Sequence, residues 1–386
     1  MKKKIAIITH GFSIGGTERA LVNMINILPV EEFDITVYVS DDRKDLLPLI
    51  KRDVIVKKLP FQKISTKRVL REAVCSRKLK NIYNAFYDIC QIKINPVDSY
   101  AQKKAVAHLQ SSVDEYYDIA IYYSLPTQAE LIYVLEKMQA GRKVAWVHMD
   151  VMTYEGRIEK FHDIYAKYDA IVCVSNHCKT QFLKMFPDLN RKMVVLYNYL
   201  NPINIKRLSQ EDVNLLDTEA FSIFTCSRLS DEKQPYLAVD VLSELIKRNK
   251  EVKWYWAGSG ALFNDVQKYI KDKKVENSFV LLGNVDNPYP LYKNADLYVQ
   301  LSVAESFCLS LAEAKILECN CVSTNFPTAY EILDIDTDRI VKSDADEISD
   351  AICSFVDRKE PFDQNRKKCF PIGEQARTQI VEFLLR

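Results

Sequence analysis

Two glutamates, Glu305 and Glu313, stand eight positions apart and are the side chains best suited to chemistry in the segment 302–331. Glu305 follows the apolar run 297–301, which predicts a strand, and lies in the turn after it. Glu313 falls within 309–317, where apolar residues recur at helical spacing. A strand, a turn and a helix in this order place both carboxylates in a pocket at the carboxyl end of the strand, where α/β proteins bind ligands.

The start of this predicted helix is suited to an anionic ligand. The backbone N–H groups of Phe307, Cys308 and Leu309 would be free there, and the helix dipole favours a phosphate. Glu305 and Glu313 are badly placed for phosphate but can accept hydrogen bonds from the hydroxyls of a ribose or a hexose. Phosphate, ribose and sugar together indicate a nucleotide-sugar site.

Length and composition limit the possible architectures. The chain has 386 residues, which predicts two domains, and its 48% apolar and 27% charged residues are typical of a soluble globular protein. The net charge of +1 indicates no polyanionic partner, so we expect no binding to nucleic acid. Ten cysteines without a C-x-x-C motif predict free thiols in a reducing cytosol, and the absence of a long apolar run predicts no membrane span.

The N-terminal half begins with a predicted strand at 4–9, a glycine-rich loop and a predicted helix at 19–28. Gly15 and Gly16 in this loop allow the backbone to approach a ligand closely, or form a tight turn between strand and helix. The loop is not G-x-G-x-x-G, which argues against a dinucleotide site. His148 follows the predicted strand 143–147 and lies at the usual ligand edge, although a structural histidine would fit the same pattern.

The segment 51–104 has a different character, with 14 Lys and Arg residues against four acidic ones. Between residues 69 and 90 the apolar positions follow helical spacing. The basic residues Arg68, Arg71, Arg77 and Lys78 lie in and beside this stretch. Such a basic amphipathic helix can lie on an anionic membrane surface, or can pack on its own domain with a solvated basic face.

The C-terminal half contains a second alternation of predicted strands and helices from residue 218 onwards. Arg228 and Lys233 follow the predicted strand 221–226 and can converge on a diphosphate, although two loop cations can also be merely solvated. Gly258 belongs to a G-x-G motif after the next strand, which either brings backbone close to a ligand or forms a turn.

These segments resemble glycosyltransferase family 4, a group of retaining enzymes also classed as glycosyl transferases group 1. Glu305 and Glu313 within ESFCLSLAEA resemble its E-x7-E signature, and the G-G-x-E loop at 15–18 resembles its first loop. The segment 227–234 resembles its G-R-L-x-x-E-K-G motif, with Ser227 and Gln234 in place of the glycines.

The resemblance implies an α/β chain with the GT-B fold, in which two Rossmann-like β/α/β domains face a deep cleft. It divides the chain into an acceptor-binding domain at 1–200, a nucleotide-sugar-binding domain at 201–366 and a helix at 367–386 that returns to the first domain.

The resemblance also implies roles for individual residues. Arg228 and Lys233 would hold the pyrophosphate, Glu305 the hydroxyls of the donor sugar and Glu313 the ribose. His148 would lie beside the sugar, so that His148, Arg228, Lys233 and Glu305 form the catalytic set by positioning and charge stabilisation. The full predicted donor site is Gly15, Gly16, Arg228, Lys233, Gly258, Asn284, Val285, Glu305, Ser306, Phe307, Cys308, Leu309 and Glu313.

The function expected from this resemblance is transfer of a hexose or N-acetylhexosamine, with retention, from a nucleotide-diphosphate sugar. UDP is the commonest donor base in such enzymes. The acceptor would be a saccharide or a lipid-linked molecule in bacterial cell-surface polysaccharide synthesis. We expect no cofactor and no metal, and a cytoplasmic protein that can lie peripherally on the inner face of the cell membrane. The alternatives are a GT-B epimerase or hydrolase, which needs further carboxylates to activate water, and a non-catalytic GT-B-like partner subunit.

Overall fold

The computed structural model describes residues 2–59, 79–94, 99–149, 151, 158–212, 215–217, 219–357 and 370–386. The chain forms two compact units, Met1–Tyr199 with Ala376–Arg386, and Leu200–Gln375. Each unit is a sheet of parallel strands with helices, the α/β class that the sequence predicts. The membrane-contact candidates Arg68, Arg71, Arg77 and Lys78 lie outside the described residues.

The first unit contains a sheet with strand order β3-β2-β1-β4-β5-β6-β7, in which all pairs are parallel. Its strands are β1 Lys3–Thr9, β2 Phe33–Val39, β3 Ile55–Lys58, β4 Val113–Ser124, β5 Met138–Val147, β6 Ala170–Cys173 and β7 Met193–Val195. Its helices are α1 Gly16–Ile27, α2 Leu79–Ile94, α3 Tyr100–His108, α4 Ala129–Lys137, α5 His162–Tyr165, α6 Asn176–Met185 and the C-terminal helix, which we number α14, Glu374–Leu385. Short 3-10 turns occupy Leu47–Leu49, Ile158–Phe161 and Pro187–Lys192.

The second unit contains a parallel sheet with strand order β10-β9-β8-β11-β12-β13. Its strands are β8 Phe221–Cys226, β9 Val252–Ala257, β10 Phe279–Gly283, β11 Leu297–Gln300, β12 Cys321–Thr324 and β13 Arg339–Val341. Its helices are α7 Pro202–Leu208, α8 Pro235–Lys247, α9 Phe263–Asp272, α10 Tyr289–Asn294, α11 Leu309–Ile316, α12 Ala329–Ile332 and α13 Ala345–Val356, with a 3-10 turn at Asp231–Lys233.

Both sheets reverse their strand order at one point, and this reversal locates the natural ligand edge. In the first unit β1 lies beside β4, and in the second unit β8 lies beside β11. Connections leave the two neighbouring strands in opposite directions there, so their carboxyl ends leave a crevice open to a ligand.

Apolar residues fill both sheets because parallel strands are covered on both faces. Ile5, Ile7 and Ile8 of β1 have no exposed surface, and the same holds for Trp254 and Trp256 of β9. Both indole rings stack on Phe279, with ring centroids 5.9 and 6.5 Å away.

The two indole N–H groups also fasten the end of β8. Trp254 Nε1 donates to Thr225 Oγ1 at 3.0 Å, and Trp256 Nε1 donates to the carbonyl of Ser227 at 2.9 Å. Buried tryptophans need such partners for their N–H groups. The loop that begins at Ser227 is therefore held from within the core.

A buried ion pair fixes the orientation of α11. Lys315 Nζ lies 2.6 Å from Asp338 Oδ2, and the two side chains are only 2% and 0% exposed. Asp338 also accepts hydrogen bonds from the backbone N–H groups of Cys321 and Asp334. Removing one partner of such a pair typically costs about 3–5 kcal/mol, because a buried charge is left uncompensated. The helix that carries Glu313 is thus anchored next to β12 and β13.

The C-terminal helix α14 belongs mostly to the first unit. Arg377 Nε donates to the carbonyl of Ile27 at 3.2 Å, and Arg142 Nη1 donates to the carbonyl of Phe383 at 2.7 Å. Lys3 Nζ also donates to the last turn of the helix, at the carbonyl of Leu385. Cations at a helix C-terminus interact favourably with the helix dipole.

Gly258 lies where the loops after β8 and β9 touch. Its φ is +137°, and a Cβ atom placed on it would lie 2.0 Å from the carbonyl oxygen of Ser227. Only glycine tolerates both the backbone conformation and the contact.

We predict that Gly258→Ala lowers the free energy of unfolding by about 2–4 kcal/mol, because backbone strain and a backbone clash add. Gly283→Ala is the matched control, since Gly283 also has a positive φ of +67° but no atom of a described residue lies within 4 Å of its Cβ position. Urea unfolding of both variants measures the difference, and equal losses would contradict the proposed contact.

His108 joins three helices of the first unit. Its Nδ1 lies 3.3 Å from Asp88 Oδ2 on α2, and its Nε2 lies 2.8 Å from Glu136 Oε2 on α4. Hydrogen bonds to Asp88 and then to Glu136 outweigh burial and raise the pKa of His108 to about 9. The imidazole is therefore charged at neutral pH.

We predict that the contribution of His108 to stability falls between about pH 6.5 and pH 9. The pKa in the folded state lies above the value of about 6.5 expected in the unfolded chain, so the contribution is complete below pH 6.5 and is lost as the pH rises through 9. The measurement is urea unfolding of the wild type and His108→Gln from pH 6 to 10. A difference between the two proteins that does not change with pH would show that the charged pairs contribute nothing.

Candidate functional site

Lys233 and Glu305 meet at the point where the second sheet reverses its strand order. Lys233 ends the 3-10 turn after β8, and Glu305 lies in the loop after β11. Lys233 Nζ is 2.5 Å from Glu305 Oε1, and the side chains are 13% and 15% exposed. A pair this well covered is screened less by solvent than a surface pair. The structure thus brings together two of the residues selected from the sequence.

The carboxylate of Glu305 is held at one oxygen and open at the other. Ser302 Oγ donates to Glu305 Oε1 at 2.8 Å, so this oxygen accepts from both Ser302 and Lys233. Oε2 has no hydrogen-bond partner in the part of the chain that the structure describes. It is therefore available to accept a hydrogen bond from a ligand hydroxyl.

The backbone around Glu305 is fixed separately. Thr328 Oγ1 donates to the carbonyl of Glu305 at 3.0 Å, and Thr324 Oγ1 donates to the carbonyl of Ser302 at 2.6 Å. The backbone N–H of Val303 donates to the carbonyl of Glu232 at 2.9 Å, which joins the loops after β8 and β11.

Arg228 lies on the same loop as Lys233 but extends into solvent. Its side chain is 73% exposed, and its Nη2 is 3.8 Å from Glu232 Oε1. A pair this exposed contributes little to stability, about 0–1 kcal/mol. The guanidinium is therefore free to turn toward an anion at low cost.

Gln234 takes a conformation that glycine adopts readily. Its φ and ψ are 52° and 51°, in the left-handed region, at the residue before α8 begins with Pro235. Its side-chain Oε1 accepts a hydrogen bond from Ser343 Oγ at 2.6 Å. The replacement of glycine by glutamine in this motif therefore leaves the turn left-handed, with a side-chain contact to support it.

The N-terminus of α11 is open to a ligand at the backbone. The helix begins at Leu309, and none of the described side chains caps it. Cys308, the residue before it, has a left-handed backbone with φ 66°, while Phe307 is buried and Ser306 half-buried. Orphan N–H groups of a first helical turn are the usual anion ligands.

The thiol of Cys308 is not a nucleophile. Burial raises its pKa well above the ordinary value, against the lowering effect of nearby Lys233. A thiol that stays protonated at neutral pH is unreactive.

Glu313 is almost fully covered, with 5% of its surface exposed. Its Oε1 accepts a hydrogen bond from the hydroxyl of Tyr289, at the start of α10, at 3.0 Å. The structure therefore places Glu313 beneath the surface next to a tyrosine hydroxyl. Its predicted contact with a ribose stays a prediction.

The remaining candidates of the second unit lie along the ends of β9 and β10. Gly258 packs against Ser227, as described above, and its N–H donates to the carbonyl of Gly283 at 2.7 Å. Asn284 is exposed and Val285 half-buried in the loop that follows. Gly258 therefore joins the loops after β8 and β10, and its predicted contact with a ligand is untested.

His148 lies at the end of β5 in the first unit, in an aromatic cluster. Its ring centroid is 4.0 Å from that of Tyr123 and 6.4 Å from that of Trp146, on which it stacks. Only 8% of the surface of His148 is exposed. Burial lowers the pKa of His148 to about 3, so the imidazole is neutral at physiological pH. Its Nε2 is buried and has no hydrogen-bond partner among the described residues. The structure therefore places a neutral imidazole here, and its predicted contact with the donor sugar stays a prediction.

Gly15 and Gly16 form the entry to α1, which begins at Gly16. Within the described part of the chain, no side chain caps this helix. A Cβ atom on Gly15 would lie 2.3 Å from Oε2 of Glu18, a residue of the first turn. The glycine thus allows a carboxylate to fold back against the loop.

Sequence reasoning missed the polar residues that support the glutamates, which are Gln300, Ser302, Tyr289, Thr324 and Thr328. Gln300 carried a usable signal, since it is a polar residue in an otherwise apolar predicted strand. The others have ordinary sequence surroundings.

The described residues contain no group of three or more His, Cys, Asp or Glu side chains that could hold a metal ion. No helix within them is long and apolar enough to cross a bilayer.

Comparison with known proteins identifies the second unit. Residues 206–379 match the family model of glycosyl transferases group 1. The chain is 26% identical over 188 residues to poly(glycerol-phosphate) alpha-glucosyltransferase of Bacillus subtilis, covering 48% of this chain and 28% of that protein. It is 27% identical over 162 residues to N-acetylgalactosamine-N,N'-diacetylbacillosaminyl-diphospho-undecaprenol 4-alpha-N-acetylgalactosaminyltransferase of Campylobacter jejuni, covering 42% of this chain and 43% of that protein. The chain thus spans less than half the length of these curated relatives.

A solved structure extends the likeness to the whole chain. The complex of Anabaena Alr3699/HepE with UDP and glucose has a TM-score of 0.70 and 15% sequence identity, covering 99% of this chain and 98% of that one. This degree of likeness establishes the fold. It confirms the GT-B fold predicted from the sequence, and the family model confirms the predicted relationship. Residues 206–379 therefore belong to the glycosyl transferases group 1, and the chain has the GT-B fold.

Proposed function

We propose that this protein transfers a hexose or N-acetylhexosamine, with retention of anomeric configuration, from a nucleotide-diphosphate sugar to a saccharide or lipid-linked acceptor. The observation that carries the proposal is the pair of Lys233 and Glu305 at the reversal point of the second sheet, beside the uncapped N-terminus of α11. A cation, an acceptor oxygen and free amides at one edge match a sugar attached to a diphosphate.

The difficult part of such a transfer is the departure of the diphosphate while positive charge develops on the sugar. Lys233, Arg228 and the first turn of α11 would stabilise the leaving diphosphate. Glu305 Oε2 would accept from a sugar hydroxyl and so hold the donor in line. We propose that these groups suffice without a metal ion.

His148 would contact the sugar as a neutral hydrogen-bonding group. Its low pKa follows from burial, so ionisation of this side chain cannot limit activity at neutral pH. Its Nε2 has no hydrogen-bond partner among the described residues, so a sugar hydroxyl that reached it would satisfy a buried polar atom.

The donor base and the acceptor are inferred from the relatives. The Anabaena neighbour contains UDP and glucose, which supports a UDP-sugar as donor. The Bacillus relative is named for a poly(glycerol-phosphate) acceptor and the Campylobacter relative for an undecaprenol-linked one. Both names support an acceptor in cell-surface polymer synthesis.

We predict that Lys233→Ala lowers transfer by about 100- to 1,000-fold, the range seen when one charge-stabilising donor is removed. Glu305→Gln should lower it by roughly tenfold or more, because the sugar loses a charged acceptor and Lys233 loses its partner. The assay measures nucleotide release and glycosylated acceptor from a panel of UDP-, GDP- and ADP-sugars, with and without EDTA.

Lys206→Ala is the matched control for these variants. Lys206 pairs with Glu318 at 3.1 Å in the same unit, and both side chains are about half exposed. It should keep wild-type activity. Wild-type activity in Lys233→Ala would overturn the site, and consumption of the donor without a glycosylated product would favour the hydrolase or epimerase alternative.

Helix α2 exposes an apolar face that fits the predicted membrane contact. Tyr83, Phe86, Tyr87 and Ile94 are 68%, 60%, 52% and 78% exposed, and their spacing places them on one side of the helix. The opposite side, with Ala85, Asp88 and Ile89, is buried. We name the four exposed residues the α2 stripe.

We infer that the α2 stripe lies on an anionic membrane surface. Tyrosine and phenylalanine suit the lipid interface, and the excess of ten basic residues in the segment 51–104, 14 against four, suits anionic headgroups.

We predict that the double variant Tyr83→Ser, Phe86→Ser lowers binding to phosphatidylglycerol vesicles at least about tenfold, because two aromatic side chains no longer enter the interface. Removing the charges of Arg68, Arg71, Arg77 and Lys78 should also weaken binding. Vesicle sedimentation measures both effects, with Ile203→Ser as control, since Ile203 is 81% exposed in the other unit. A wild-type protein that ignores these vesicles would contradict the membrane contact.

A further inference from the structure

Gln300 is a buried polar residue at the end of β11, and its surroundings are unusual for a strand core. Only 1% of its surface is exposed, while Val299 and Leu301 on either side are buried and apolar. A buried amide is costly unless its donors and acceptor are satisfied. Its contacts therefore show what the residue does.

The amide of Gln300 is bonded at both ends. Its Nε2 donates to Ser302 Oγ at 2.7 Å. Its Oε1 accepts from the hydroxyl of Tyr298 at 2.6 Å and from Ser310 Oγ at 3.2 Å. Ser310 lies in the first turn of α11, so the amide joins the beginning and the end of the loop that carries Glu305.

The direction of these bonds determines the direction of the next one. Ser302 Oγ accepts from Gln300, so its single proton is available for Glu305 Oε1, which lies 2.8 Å away. The resulting chain runs from Tyr298 through Gln300 and Ser302 to Glu305, where Lys233 meets it. Hydrogen bonds in such a chain strengthen one another in a buried site.

The backbone of the loop does not depend on this chain. Thr324 and Thr328 donate to the carbonyls of Ser302 and Glu305, and neither bond involves the side chain of Gln300. Loss of the amide therefore affects the orientation of the Ser302 hydroxyl and the Glu305 carboxylate more than the path of the chain.

We propose that Gln300 is a positioning residue for donor recognition, which acts through Ser302 to fix the carboxylate of Glu305 in the orientation that accepts a sugar hydroxyl. This role rests on the proposed function, because it assigns a task to a residue behind the same site. Gln300 itself contacts no substrate.

The test uses Gln300→Met, which keeps the length of the side chain but cannot hydrogen-bond. We expect kcat/KM for the nucleotide sugar to fall by roughly 10- to 100-fold, the effect of weakening the hydrogen bond between a sugar hydroxyl and the charged carboxylate of Glu305. Binding of the nucleoside diphosphate alone should change less than about threefold, since it lacks the sugar. Ser222→Ala is the control, because it removes a buried hydroxyl near the amino end of β8, at the opposite end of the strands from the site.

A double-mutant cycle with Ser302→Ala tests the route. If Gln300 acts through Ser302, then adding Gln300→Met to Ser302→Ala should lower kcat/KM by no more than about twofold. Fully additive losses would overturn the proposal.

Gln300→Glu distinguishes a positioning role from a purely structural one through the pH dependence of its activity. The ionised carboxylate cannot donate to Ser302, whereas the protonated form can, so the activity of this variant relative to the wild type should rise as the pH falls. This profile decides the question if Gln300→Met does not fold.

The outcomes separate the two hypotheses. A wild type that turns over no nucleotide sugar contradicts the proposed function. An active wild type, with Gln300→Met equal to Ser222→Ala and a Gln300→Glu profile parallel to that of the wild type, contradicts the positioning role alone.

Discussion

The ion pair between Lys233 and Glu305 is the contact on which the second unit's site depends. It can form only because β8 and β11 are neighbours in the sheet although 70 residues separate Cys226 from Leu297. A parallel sheet with this strand order directs both loops to the same edge, and the core then holds them there. Trp254 and Trp256 fasten the end of β8, while the pair of Lys315 and Asp338 anchors α11.

The groups at this edge of the sheet combine positive charge with one carboxylate, which suits a ligand that has both phosphates and hydroxyls. Lys233 pairs with Glu305 and would also contact the proposed diphosphate. The carboxylate of Glu305 therefore cancels part of the positive potential of Lys233. Arg228 extends into solvent, where an anion can recruit it without breaking a buried contact. The backbone amides at the start of α11 add positive potential, and no carboxylate among the described residues bonds to them directly. Division of the positive charge among these groups suits a ligand with phosphates at one end and hydroxyls at the other.

The fold was readable from the sequence because apolar runs and helical spacing are strong where elements are long and buried. The strand predicted at 4–9 is β1, Lys3–Thr9, and the strand predicted at 221–226 is β8 with the same bounds. The C-terminal helix expected within 367–386 spans Glu374–Leu385. Several elements were not assigned, among them β3 and α7, since short edge strands and short helices carry weak patterns.

The candidate residues were selected by motif, which names positions but not contacts. Motifs could not show that Glu313 is covered and bonded to Tyr289, that the pKa of His148 falls to about 3, or that Gln300 supports Glu305. These depend on burial and on partners distant in the chain.

The most direct test of the account is the melting temperature of the wild type in the presence of UDP, GDP, ADP or CDP, each measured with EDTA and with added magnesium. A ligand that binds only the folded state raises the melting temperature according to its affinity. The account predicts a rise with one of these nucleotides that is the same in EDTA, and a smaller rise in Lys233→Ala. If no nucleotide changes the melting temperature of the wild type, the second unit does not hold a nucleotide-sugar donor and the proposed function is wrong.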